Sequence, residues 1–328
     1  MRIRIGRNQI PLLVTTLVCL LLYGVAAIRY PGFFSPGVFI NFFTDNAVLG
    51  IVAIGLTFVI LSGGIDLSVG AVVGLTSTLI ATLMDRHHFH PFAAIATALL
   101  AGLLLGTGMG LVIQCFNLPP FLVTLAGMFM ARGIGFLIRF DSIPITHPVY
   151  ERVSDFRLHA GFGTEIPATA LLFLLTLAVA MFIAHCTRFG RYVYALGSNE
   201  QSALLMGLPV SQTRVAIYAL SGFCSAFDGV VYTFYTVSGN PTAGSMLELD
   251  AIASVVIGGT LLTGGVGYVI GTLIGVLIFG IIQTAITFQG TLSSWWTKIA
   301  IGLLLLLFIL MQKVIRLRHW SKLFKTAP

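Results

Sequence analysis

Charge is what this sequence has least of. Only 9% of its 328 residues are Asp, Glu, Lys or Arg, against about 25% in a soluble globular domain. That shortage excludes an ordinary soluble enzyme, whose surface must be wetted. It does not signal disorder, which goes with low hydrophobicity and high net charge. Cysteine is scarce too. Cys19, Cys115, Cys186 and Cys224 share no C-x-x-C spacing, so they read as small buried hydrophobes and neither a disulfide framework nor a metal site. No GxxxxGK[ST], HExxH or GxSxG is present, so no P-loop, zinc-protease or serine-hydrolase reading arises. His87, His88 and His90 crowd one turn; adjacent histidines do not share a helix face as ligands at i and i+4 do, so a solvated turn is expected. The sequence gives no sign of catalysis, a metal or a cofactor.

Apolar residues are abundant, at 57%, and the mean hydropathy is +0.99. A membrane-spanning helix needs about 20 apolar residues, so ten would occupy roughly 200. Ten apolar segments are visible, near 10–28, 47–62, 69–84, 92–114, 121–139, 167–184, 213–236, 250–263, 266–288 and 296–312. The expected fold is an all-α, polytopic membrane helix bundle forming one domain over residues 1–328. Several segments are short and bounded by glycine pairs. Thirty-six glycines suit helices that pack closely in lipid. The start, Met1 to Arg7 followed by an apolar run, is similar to a signal peptide. The run is too long for a typical signal core, and Val25-Ala26-Ala27 is a poor cleavage site. A retained first helix is the better reading.

The net charge of +7 would hint at nucleic acid in a soluble protein. Here the bases gather at both ends and in one central loop, as membrane proteins place them on the cytoplasmic side. Arg2, Arg4 and Arg7 lie in residues 1–9. Arg188 and Arg191 lie in the loop 185–212, with Arg214 just beyond it. Lys313, Arg316, Arg318, Lys322 and Lys325 lie in a basic tail, 313–328. With ten crossings these three regions share one side, so both termini are expected in the cytoplasm. Residues 140–166 then lie outside.

Two features suggest machinery. Leu61-Ser62-Gly63-Gly64-Ile65 matches Leu262-Thr263-Gly264-Gly265-Val266, and Gly70 and Gly74 keep step with Gly271 and Gly275. Glycine-interrupted segments repeated in two halves are a pointer to a transport pathway. The second feature is the loop Thr187–Pro209. Ser198 or Asn199 suits an N-cap and Glu200 a first helical turn. Gly207 suits the position after the helix, with Pro209 beyond. The spacing predicts a helix over about 200–206, too short to be stable alone in water. Ala203, Leu204 and Met206 then need something to pack on: a soluble partner, or the rest of this chain.

Ala195 to Leu208 of that loop resembles the coupling-helix signature of bacterial ABC sugar importer permeases of the ribose type. Ile54–Gly70 and Leu249–Thr260, running on to Gly264-Gly265, resemble the family's two glycine-rich segments. The likeness extends from about residue 10 to 312. Within the family the chain is most similar to the galactofuranose importer permeases, on Asp141–Pro148 and Gln289–Gly302. The resemblance implies a non-catalytic membrane subunit. It implies cytoplasmic ATP-binding subunits, a second permease subunit of the same or a different chain, and a periplasmic sugar-binding protein. It places the coupling element at residues 199–207, with Gly197, Asn199, Glu200, Ala203, Met206 and Gly207 as its residues. Gly63, Gly64, Asp66, Gly264 and Gly265 become helix-break or pathway residues.

Two acids fall inside apolar stretches, where insertion at a helix centre costs about 2.5–3.5 kcal/mol. Asp66 can cap a helix starting near Leu67, line the sugar path, or do both. Asp228, at a position where the family suggests a small apolar residue, can face a wet pathway, pair with a partner subunit, or be a tolerated neutral acid. Asp250 and Glu248 lie at a segment edge and are expected to be wet. The alternative function is an ion-coupled secondary transporter using Asp66 and Asp228. Trp295 and Trp296 read as an interfacial belt.

Overall fold

The computed structural model describes residues 10–161, 164–293 and 295–325. The expected positions 1–9 lie outside them. Along the described residues run α1 (Ile10–Arg29), α2 (Pro36–Asp45), α3 (Ala47–Leu61), α4 (Val69–Asp85), α5 (Pro91–Phe116) and α6 (Pro120–Ile138). An excursion from the helices follows, with β1 (Ile143–Pro144), α7 (Pro148–Ser154), β2 (Arg157–Gly161) and β3 (Thr164–Pro167). Then come α8 (Ala168–Cys186), α9 (Arg188–Ser198), α10 (Glu200–Leu205), α11 (Val210–Thr236), β4 (Ser238–Gly239), α12 (Leu247–Ile257), α13 (Val269–Gln289) and α14 (Trp295–Lys325).

Among the described residues seven helices are long and apolar enough to cross a membrane: α1, α5, α6, α8, α11, α13 and the first part of α14. The pair α2 and α3 is together long and apolar enough as well, but bent by 56° at Asn46. Ser35 starts α2 by accepting the Val38 N–H at 3.3 Å, with Pro36 in the first turn. Two further helices are short, α4 with 17 residues and α12 with 11. All ten apolar segments therefore contain helix, in a polytopic bundle. One expectation needs correction. The segment drawn at 250–263 ends as a helix at Ile257, because Gly258 and Gly259 follow and Gly259 takes φ +95°, a conformation open to glycine. The basic stretch from 313 is helical. It continues α14 to Lys325, since neither Gly nor Pro lies between Gly302 and Pro328 to stop it.

The centre of the bundle is α3 with α11. Every residue of α3 except Val48 is buried, and α11 buries Ile217, Tyr218, Ser221, Cys224, Ser225 and Asp228. Helix α5 lies against α11 along Gly102, Gly106 and Gly110. Their spacing of four puts them on one face. A Cβ at Gly222 would meet the Gly106 Cα at 2.9 Å, so the two backbones touch, as small residues permit in lipid. Gly222→Leu is expected to lower the detergent melting temperature, because its side chain would meet backbone; overpacking costs about 1–3 kcal/mol. An unchanged melting curve would contradict this packing.

The excursion 139–167 makes a cap at one end. β1 pairs antiparallel with β4, Ile143 opposite Gly239. Tyr150 is fully buried beneath it, its hydroxyl 3.3 Å from Thr233 Oγ1. The turn at His87, His88 and His90 is exposed. Of the four free cysteines only Cys224 is buried. Cys115 and Cys186 lie on the outside, which corrects the expectation that all four are internal.

Candidate functional site

The two glycine breaks meet. The chain leaves α3 at Leu61 and turns through Gly63, at φ +84°. After α12 it turns through Gly264 and Gly265, at φ +80° and +76°. The Gly265 N–H donates to the Leu61 carbonyl at 2.8 Å. The matching sequences thus lie side by side, each before a helix, α4 or α13. The registered glycines repeat the pattern. Gly74 sits against the Pro241 and Ala243 carbonyls, and Gly275 against the end of α12 at Ser254 and Gly258.

Asp66 belongs to the first break. It is fully buried. Its Oδ1 accepts the Ser68 N–H at 2.9 Å and the Ser68 hydroxyl at 2.6 Å, and its Oδ2 accepts the Ser221 hydroxyl at 2.7 Å. The helix it precedes starts at Val69 with Ser68 as its N-cap. Asp66, expected as the cap itself, therefore lies two residues before the observed N-cap. It also ties the break to α11.

The loop after α8 rests on both breaks. Thr187 caps α9 by accepting the Gly190 N–H at 3.2 Å, and Gly190, Val193 and Leu196 make its buried face. The Cα of Gly197 lies against the Leu61 carbonyl; a Cβ there would also meet the Gly265 nitrogen at 2.6 Å. Tyr194 donates to the Gly267 carbonyl at 2.9 Å. Burial, with Tyr268 beside it, pushes the Tyr194 phenol up to about 12, so its hydroxyl stays a donor at neutral pH. Asn199 ends α9 and starts α10, its Oδ1 accepting the Ser202 N–H at 2.8 Å. Gly207 follows at φ +73°, its N–H bonded to the Leu204 carbonyl at 2.9 Å, and Leu208 N–H reaches the Ala203 carbonyl at 3.1 Å.

Of the residues of α10 only Ala203 is buried. Leu204 and Met206 are exposed, and Leu205 is 90% exposed. This six-residue helix displays three large apolar side chains outside the spanning segments. Glu200, in its first turn, pairs with Arg214 of α11 at 2.5 Å. Arg214 also donates to Gln114 Oε1 at 2.8 Å, and Gln114 donates to Ser211 at 3.0 Å. A cavity of about 310 Å³ separates this network from the first break, lined by Ser62, Gly64, Asn117, Glu200, Arg214 and Tyr218. Gln114, Tyr194 and Tyr218 did not stand out in the sequence, and Arg214 did so only as a basic residue, because their partners are distant along the chain.

The other acids depart from expectation. Asp228 is fully buried inside its own chain, and neither carboxyl oxygen has a hydrogen-bond partner. Within this chain it reaches neither the surface nor a polar partner. An unsatisfied buried polar group costs about 1–3 kcal/mol. Asp228→Ala is therefore expected to leave transport unchanged and the melting temperature equal or higher; a loss of transport would refute it. Asp250 is not simply wet, since it forms an ion pair with Lys298. Glu248 is half-buried, its Oε2 without a hydrogen-bond partner. Trp295 and Trp296 are exposed.

Comparison with known proteins places this arrangement. Residues 38–309 match the family described as branched-chain amino acid transport system / permease component. The inner membrane ABC transporter permease protein YjfF of Escherichia coli K12 is 49% identical over 94% of this chain and 93% of its own length. The ribose import permease protein RbsC of Haemophilus influenzae is 39% identical over 89% and 90%. The fructose import permease protein FruG of Bifidobacterium longum is 35% identical over 95% and 93%. No solved structure matches the chain.

Proposed function

The chain belongs to the branched-chain amino acid transport system / permease component family, as a non-catalytic ABC transporter permease, and from that premise we propose that it carries a monosaccharide into the cell. The relatives named for ribose and fructose support a sugar as cargo. Galactofuranose or a related monosaccharide is the substrate we assign, on the stretches Asp141–Pro148 and Gln289–Gly302. The chain sits in the bacterial inner membrane with both termini in the cytoplasm. It pairs with a second permease subunit, receives sugar from a periplasmic binding protein, and is driven by cytoplasmic ATP-binding subunits.

The observation that carries this reading is α10. It is capped at both ends, fixed by its neighbours to both glycine breaks, and leaves Leu204, Leu205 and Met206 outside the fold. An ATP-binding subunit with an apolar cleft would bury them. Burying such a side chain stabilises by about 1.5–3 kcal/mol. A push on α10 would then reach both breaks at once, the geometry alternating access needs. Ion coupling through Asp66 and Asp228 lacks such support. Asp66 has its bonds within the chain, and Asp228 lies sealed among α11's neighbours.

The test is purification of the chain from its native membrane in mild detergent, with mass spectrometry of what accompanies it. An ATP-binding protein in near-equal amount is expected, together with uptake of the sugar that stops when ATP alone is depleted. Uptake that survives ATP depletion and stops with a protonophore would overturn the reading.

A further inference from the structure

One face of α11 carries Arg214, Tyr218 and Ser221, at spacings of four and three that place them in line. Each touches a different part of the machinery. Arg214 holds Glu200 of α10 at 2.5 Å. Tyr218 stands over Gly64, where any Cβ would strike its hydroxyl. Ser221 holds Asp66 of the first break at 2.7 Å. The Tyr218 hydroxyl is buried and has no hydrogen-bond partner, and it borders the cavity of about 310 Å³ between α10 and the break.

We propose that α11 is the rod that carries movement of α10 into the first glycine break, with the Glu200–Arg214 pair as the tie at one end and Ser221–Asp66 as the tie at the other. The proposal rests on the reading of α10 as the element an ATP-binding subunit moves. It separates two roles within α10. Leu204, Leu205 and Met206 face away from the chain and serve docking. Glu200 faces α11 and serves transmission.

Physical reasons favour the ion pair as the tie. Apart from it, α10 holds to the bundle through Ala203 and the backbone on either side. Arg214 is fixed by a second bond, to Gln114, and its side chain is 15% exposed against 47% for Glu200, so the arginine end of the pair is held in place and shielded from water. The cavity beside it gives the break room to move, and there the Tyr218 hydroxyl would find a partner as the space closes. Coupling between sites needs such a connected element with two arrangements. Glu200 and Arg214 are positioning residues, acting on transport through α11.

The experiment uses the whole transporter, with its ATP-binding subunit, in proteoliposomes. Three quantities are read for Glu200→Gln, Arg214→Gln, Arg214→Lys and the exchanged pair Glu200→Arg with Arg214→Glu: retention of the ATP-binding subunit, ATP hydrolysis, and sugar moved per ATP. The two neutral variants should keep the subunit and hydrolyse ATP, yet move at least about fivefold less sugar per ATP, the lower end of ordinary coupling between sites. Arg214→Lys should retain most transport. The exchanged pair should recover part of the loss, short of all, because a cation at the start of α10 opposes the helix dipole. Normal transport in both neutral variants would overturn the proposal. So would loss of the ATP-binding subunit from Glu200→Gln alone, which would make Glu200 a docking residue. Failure of the unaltered chain to bind any ATP-binding subunit would strike the functional reading instead.

Discussion

Met206→Asp and Gly207→Pro are each expected to leave the chain inserted in the membrane and to abolish ATP-driven uptake. The two act by different routes. Met206 is exposed on α10, so an acid there costs the free chain little. Against an apolar cleft it would be a buried charge without a partner, and truncating or replacing such an interface anchor commonly costs 2 kcal/mol or more, a loss of roughly 30-fold in affinity. Gly207→Pro acts on the helix itself. Gly207 takes φ +73° and its N–H bonds Leu204. Proline fixes φ near −65° and has no N–H. A helix of six residues has little besides its caps to hold it, so α10 should unwind. Uptake in vesicles, with insertion checked by membrane fractionation, decides both. If both variants transport normally, residues 199–207 do not couple the chain to its ATPase.

Gly197→Ala should be as damaging as either, although it adds one methyl group. The Gly197 Cα lies on the Leu61 carbonyl, and a new Cβ would sit 2.6 Å from the Gly265 nitrogen. Both neighbours are backbone, so no side chain can swing aside. The bond these two atoms make to each other, Gly265 N–H to Leu61 at 2.8 Å, stands in the path of the methyl. Breaking it leaves buried groups unsatisfied, at about 1–3 kcal/mol, and overpacking adds about as much again. The expected outcome is a chain that inserts but whose loop 187–209 is cut by protease far faster than the parent, with uptake lost. Parent-like protease resistance would show that the loop does not rest on the breaks.

How much of this was legible in the sequence differs from one element to the next. The spans were legible because lipid solvation rewards long apolar runs, and each run carries its own signal. The α10 helix was legible because caps act locally: Asn199 reaches the Ser202 N–H and Gly207 supplies the left-handed turn. The glycine repeat was legible because the same chain turn recurs. Less was legible at the edges. The helix after Leu247 stops at Gly258 although the apolar run continues, and α14 runs on although its apolar run ends. At both places backbone freedom, and not hydrophobicity, fixed the boundary.

Residues paired across the fold left no such trace. Glu200 is fourteen positions from Arg214, and Asp66 is far from Ser221, yet each pair lies within hydrogen-bond reach. Asp228 was open to three readings in the sequence; its full burial, with neither oxygen partnered, is visible only in the fold. The sequence by itself determined that this protein lives in a membrane, where its helices run, and that one short capped helix lies between two of them. The tertiary structure alone decided that the two glycine breaks touch, that Gly197 fills their junction, and that α11 links α10 to Asp66. Solvation and capping depend on neighbours within a turn or two of chain. Contact between backbones and the pairing of buried polar groups depend on which helices the bundle sets side by side.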